Sequence, residues 1–70
     1  MGIFMKLYEV PRRTFINYKE DDIDIDLFFD HVDGSYSFCL NSKGNPIHLA
    51  AYADVTPLKC KPDYWNEDIL

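Results

Sequence analysis

Three sets of residues in this chain could do chemistry. The first is a row of carboxylates. Asp22, Asp24 and Asp26 recur at every second position, and Asp30 follows after Phe28 and Phe29. In an extended strand such neighbours stand roughly 6.6–6.8 Å apart on one face. A row on that pitch can imitate nucleic-acid phosphates or dock on Lys and Arg of a partner, and its field would speed the encounter. It can equally be a solvated outer face that blunts a strand edge. A calcium site is disfavoured, because the row lacks the glycine-centred spacing of an EF-hand loop. The second set is Cys39 with His48. A thiol beside an imidazole is the start of a metal site or of a nucleophile with its base. Zinc needs about two further ligands, and Cys60 and His31 are the candidates at hand. The third set is aromatic. Phe28, Tyr52, Tyr64 and Trp65 fall outside the apolar pattern of the strands. Exposed beside Arg12 and Arg13 they could stack bases; alternatively the C-terminal segment folds back and covers Phe28 and Tyr52.

These residues need strands to position them. Ile23, Ile25, Leu27 and Phe29 alternate with acidic residues, which predicts a half-buried strand over 23–32. Asp33-Gly34 suits a type I′ turn, whose two central residues both need positive φ. A two-residue loop there sets Val32 against Ser35, His31 against Tyr36, Phe29 against Phe38 and Leu27 against Leu40. The partner strand then covers 35–41. A four-residue loop, Ser42-Lys43-Gly44-Asn45, leads into a strand over 46–52. It sets Leu40 against Ile47, Phe38 against Leu49 and Tyr36 against Ala51. A three-residue loop would pair Leu40 with Pro46 and break the agreement. In this register Ile25, Leu27, Phe29, Phe38, Leu40, Ile47 and Leu49 share the core face. Cys39 then lies between Phe28 and His48 on the other face. A one-residue slip would exchange the two faces.

The flanks read more simply. Met5 to Val10 is a first strand, broken by Pro11-Arg12-Arg13, and Thr14 to Tyr18 is a second, rich in β-formers. Ala53-Asp54 makes a tight turn into a last strand, Val55 to Leu58. Pro57 belongs at an edge or an end there. The expected fold is all-β: a small five- to six-stranded antiparallel barrel or a strongly bent sheet. Residues 1–58 form the single domain, and 59–70 form a short irregular or one-turn helical C-terminal tail. Without a helix between the third and fourth strands an OB-fold is disfavoured, and the architecture resembles an SH3-like barrel.

Composition narrows the function. The chain has 70 residues, 47% of them apolar, and a net charge of −5. That balance disfavours direct binding to nucleic acid. The acidity is concentrated: from Glu20 to Asp33 there is no Lys or Arg. Residues Met1 to Lys6 lack the pattern of a secretory leader. No apolar run approaches the roughly 20 residues that span a bilayer. A cytoplasmic protein with reduced thiols and no membrane partner is the expectation. Met5 is an alternative natural start. No Gly-rich phosphate loop, CxxC, HExxH or nucleophile elbow occurs. No catalytic residue, metal or cofactor is therefore expected.

The opening Met5-Lys6-Leu7-Tyr8-Glu9-Val10-Pro11-Arg12, the segment Phe29-Asp30-His31-Val32-Asp33-Gly34-Ser35-Tyr36-Ser37 and the later Gly44-Asn45-Pro46-Ile47-His48-Leu49-Ala50-Ala51 resemble small accessory proteins of tailed bacteriophages. The resemblance covers most of residues 5–55. It implies a viral accessory role and brings no activity or site residues with it. The final Asn66-Glu67-Asp68-Ile69-Leu70 is similar to the acidic tips of bacterial single-stranded DNA-binding proteins, which dock on basic, apolar pockets. The leading expectation is a non-enzymatic module that binds a host protein with a basic surface. Asp22, Asp24, Asp26 and Asp30 would meet its Lys and Arg, with Phe28 or Trp65 as apolar anchor. Two alternatives stay open. One is a single-strand nucleic-acid-binding barrel using Arg12, Arg13 and Lys19. The other is a structural subunit that completes its core by oligomerising.

Overall fold

The structure, a computed structural model, describes residues 4–65. It is all-β. Six strands run in chain order: β1 (Met5–Lys6), β2 (Thr14–Glu20), β3 (Ile23–Asp33), β4 (Tyr36–Leu40), β5 (Pro46–Ile47) and β6 (Asp54–Pro57). All pairings are antiparallel, and the spatial order is β1-β6-β2-β3-β4-β5. The expected barrel is not formed. Among the described residues no strand ladder joins β1 to β5. The two ends of the sheet are instead tied through an irregular segment. Ala51 accepts from the Tyr8 amide at 2.9 Å and donates to the Ser35 carbonyl at 2.8 Å, and Leu7 N–H donates to Ala53.

The first expected strand is cut short. After Lys6 the chain makes a 3-10 turn over Leu7–Glu9, closed by Val10 N–H on the Leu7 carbonyl. Glu9 Oε1 accepts from the Lys6 amide at 3.0 Å, which uses a donor that the strand would otherwise pair. The turn drops Leu7 and Val10 into the interior. β2 is longer than predicted, because its ladder with β3 continues to Glu20 opposite Ile23. Pro57 ends β6 as its missing N–H requires.

The largest departure lies in β4. Asp33 pairs with Tyr36, so the two loop residues are Gly34 and Ser35. Gly34 has φ of +66°, and Ser35 is not among the residues with positive φ. One positive φ at the first loop position is the type II′ pattern, which also takes glycine. Between Phe29 and His31 the register then shifts, with Asp30 as the extra residue of a β-bulge. Beyond it Phe29 faces Cys39 and Phe28 faces Leu40. On the far side, Asn41 and Asn45 close the three-residue loop Ser42-Lys43-Gly44, with Gly44 at φ of +84°. Asn41 Oδ1 accepts from the Lys43 and Asn45 amides, which holds this loop shut. Leu40 therefore pairs with Pro46 and Cys39 with Ile47.

Both changes act alike: β4 presents the opposite face from the one expected. Ser37 and Cys39 point inward and are fully buried, while Phe38 points out and is 40% exposed. Leu40 joins Phe28 on the outer side, and Ile25 is 38% exposed near the hairpin end. The core consists of Leu7, Val10, Ile16, Leu27, Phe29, Cys39 and Val55, with Met5, Tyr18, Val32, Ile47 and Leu49 packed against it. Burying Ser37 is tolerable because its hydroxyl donates to the Leu49 carbonyl at 3.0 Å and accepts from the Leu49 amide. Two small side chains on β4 leave the interior volume to Phe29, Leu7 and Ile16.

Two stability predictions follow from these positions. Phe29→Ala should cost about 3–5 kcal/mol, and Phe38→Ala about 1 kcal/mol or less. Chemical denaturation of both variants measures this, and equal losses would contradict the register. Asp21, the first residue of the two-residue loop between β2 and β3, has φ of 50°. Asp21→Gly should stabilise the protein by about 0.5–1 kcal/mol, since it relieves a left-handed strain. A thermal midpoint that falls would refute this.

Candidate functional site

The sheet's outer face divides into three zones along β2, β3 and β4. Strand alternation places Lys19, Asn17 and Phe15 of β2 beside Asp24, Asp26 and Phe28 of β3. The acidic zone is at the β2–β3 hairpin end. Asn17 stands between the two carboxylates, and its Nδ2 donates to Asp24 Oδ1 and Asp26 Oδ1, each at 2.9 Å. Lys19 Nζ lies 3.6 Å from Asp24 Oδ2. The Asn17 hydrogen bond, helped by Lys19, holds the Asp24 carboxyl below the usual range and so keeps it ionised. Tyr64 OH donates to Asp26 Oδ2. An open cleft of about 380 Å³ adjoins this zone, lined in part by Asp24, Asp26, Asn41, Lys43, Asn45 and Tyr64.

The expected row of four is thus divided. Asp24 and Asp26 share the outer face of β3. Asp22 lies in the loop before the strand and is exposed. Asp30 is the bulge residue, and its Oδ1 lies 3.3 Å from His31 Nδ1.

The middle zone is apolar and covered. Phe15 and Phe28 meet edge to face at 5.0 Å, and Trp65 closes on Phe15 at 5.1 Å. Arg13 Cζ lies 5.6 Å from the Phe28 ring centre, within cation–π range. Arg13 itself holds a left-handed φ of 60°, and its amide donates to the Asp30 carbonyl across the bulge. Phe28 and Trp65 are only 5% and 3% exposed. Both rings, named above as apolar anchors, pack against Phe15 in this arrangement. The C-terminal segment reaches Phe15, which packs on Phe28, but Tyr52 is left exposed. The tail's Asn66–Leu70 tip, likened above to single-stranded DNA-binding proteins, lies outside the described residues.

The third zone is open and was not foreseen. Phe38 stacks on His31 at 4.9 Å and meets His48 edge-on at 4.9 Å, with exposed Tyr36 beyond it. His48 Nδ1 donates to the Ser37 carbonyl at 2.9 Å. Gly34-Ser35 read as the loop would have paired His31 with Phe38, but only the bulge at Asp30 turns the two rings outward, and no sequence signal marks it.

The expected Cys39–His48 pair is broken up. With β4 turned over, Cys39 is inside against Phe29 and Ile47, and His48 is outside. Burial pushes the Cys39 thiol up and the Asp30 charge adds to this, against a contact from Ser37 that lowers it. Among the described residues no group of three or more His, Cys, Asp or Glu is placed to hold a metal ion. No helix among them is long and apolar enough to cross a membrane. No family model, curated protein or solved structure matches the chain significantly.

The Tyr64–Asp26 contact gives a pH prediction. That hydrogen bond, with burial and the Asp26 charge, pushes the Tyr64 phenol up to about 12. A group raised on folding stabilises the fold below its unfolded value and loses that contribution as the pH rises through its folded value. The attachment of Tyr64 should therefore be intact up to about pH 10 and be lost toward about pH 12. Tyrosinate absorbance of wild type against Tyr64→Phe reads this directly. A Tyr64 that titrates with the free amino acid would refute it.

Proposed function

We propose that this chain is a non-enzymatic protein-binding module whose acidic outer face meets Lys and Arg on a partner. The observation that supports this best is the Asp24–Asp26 pair. Asn17 holds both carboxylates in place from one amide, and Asp24 is kept ionised. Fixed, charged acceptors on regular strand pitch cost a cationic partner little reorganisation. Asp22 extends the acidic end into the exposed hairpin loop, and Glu20 and Asp21 add to the same field.

The finer parts of the proposal rest on the sequence. The partner is a host protein with a basic surface, and the setting is the cytoplasm of a phage-infected bacterium. The carboxylate row acts there in place of nucleic-acid phosphate. An SH3-like relation belongs with these parts; its support is the strand number and the short turn before β6. Asp30, tied to His31 at the bulge, lies apart from Asp24 and Asp26 along β3 and has the weaker claim as a contact.

Double reversal, Asp22→Lys with Asp24→Lys, is the test. Proteins captured from bacterial lysate by wild type should include salt-sensitive partners, and the variant should lose them. An unchanged set with unchanged salt sensitivity would show that the acidic zone is not the contact.

A further inference from the structure

The protein-binding reading leaves the centre of the outer face unexplained, because this chain covers it itself. Leu58 N–H still donates to the Phe15 carbonyl at 2.8 Å, but no strand follows β6 among the described residues. The chain then crosses the outer face through Lys59–Asp63 and turns, with Trp65 N–H on the Pro62 carbonyl at 3.0 Å. It sets two consecutive aromatic side chains down. Tyr64 donates to Asp26, and Trp65 packs edge-on against Phe15. Asp26 and Phe15, at the middle of the face, therefore have this chain's own segment as their occupant.

The fit is incomplete at one atom. Trp65 is 3% exposed, yet its indole N–H has no acceptor among the described residues. A buried donor without a partner is a standing cost of the docked arrangement, and release to water removes it. Tyr64, a second point of attachment, remains largely exposed. An indole that was simply part of the core would be expected to find an acceptor.

We infer that residues 59–65 form a displaceable strap on a docking seat, and that the partner segment which takes this seat carries an aromatic side chain beside a hydrogen-bond donor. This rests on the protein-binding reading above and names the chemistry of the partner. The strap defines that chemistry by its own example: a ring against Phe15, itself packed on Phe28, and a donor to Asp26. A partner whose ring carries no polar hydrogen, or whose indole brings its own acceptor, would fill the seat without the unmet group. Displacement would also free one oxygen of Asp26 for a cation, which couples the apolar seat to the acidic zone.

The chain has a single tryptophan, so its indole proton reports the strap without labelling. Under native conditions the Trp65 indole proton should exchange with solvent at least about tenfold faster than the Leu27 and Phe29 amides, through an opening smaller than global unfolding. Tyr64→Phe should speed that exchange about three- to tenfold, the loss of one modest hydrogen bond, and leave the two amides unchanged. A peptide of residues 59–65, carrying Cys60→Ser, should shift Phe15 and Phe28 resonances of the Tyr64→Phe protein saturably. Exchange of the indole in step with Leu27 and Phe29 would overturn the strap. A peptide that leaves Phe15 and Phe28 unmoved would overturn the seat. The Asp22 and Asp24 reversals do not touch the Trp65 contacts, so failure of the acidic contact and failure of the strap are read separately.

Discussion

One extra residue, Asp30, decides which side chains are inside. Without the bulge, the alternation that buries Leu27 and Phe29 would bury His31 next and carry Phe38 in with it. With it, Val32 takes the inward position opposite Ser37, and Cys39 faces Phe29 across the ladder. The buried thiol, the outward Phe38 with its two histidines, and the joining of Leu40 to Phe28 all follow from that single insertion. Its geometry is held from both sides: β4 pairs across it, and the Arg13 amide reaches the Asp30 carbonyl from the other edge. A bulge also deepens local twist, which suits a sheet bent far enough for its ends to be tied together.

Much of the fold could be read from residue order. The strand content and the inward Leu27 and Phe29 followed from alternation, which is insensitive to where a turn begins. The β4 face did not, because it is set by the bulge at Asp30, which shifts the ladder by one residue and has no turn signal to announce it. The turn was ambiguous too: Asp33-Gly34 puts glycine second and Gly34-Ser35 puts it first, but that choice moves the pairing by two residues and keeps the face. The second loop carried the same ambiguity: Asn41 and Asn45 could close three residues or leave four. The deciding term was tertiary. Placing Ser37 inside works only because Leu49 supplies both a carbonyl and an amide for its hydroxyl, and no local pattern announces that. The acidic residues were visible; that Asn17 would fasten two of them together was not, since it comes from the neighbouring strand.

The outer face is accordingly a sequence of different surfaces. At the hairpin end are charges fixed by a neutral amide. At the centre are rings covered by the chain's own C-terminal segment. Past the bulge is an open aromatic patch flanked by imidazoles. The bulge separates the last two, so an event at Phe38 need not disturb Phe28, although the residues lie one strand apart.

The ties at Ala51 have a consequence for how the molecule assembles. The hairpins of β2–β3 and β3–β4 join near neighbours in the chain and can form early at small entropic cost. The bonds from Tyr8 to Ala51 and from Leu7 to Ala53 join residues from opposite ends of the domain. Their formation must close a loop containing nearly everything else, so it gains from the hairpins having formed first. Until that closure Leu7 and Val10 have no interior to enter, and the half-built sheet shows water the apolar side that it later hides. The N-terminal turn is thus the late-arriving cover of a core that the rest of the chain has already outlined.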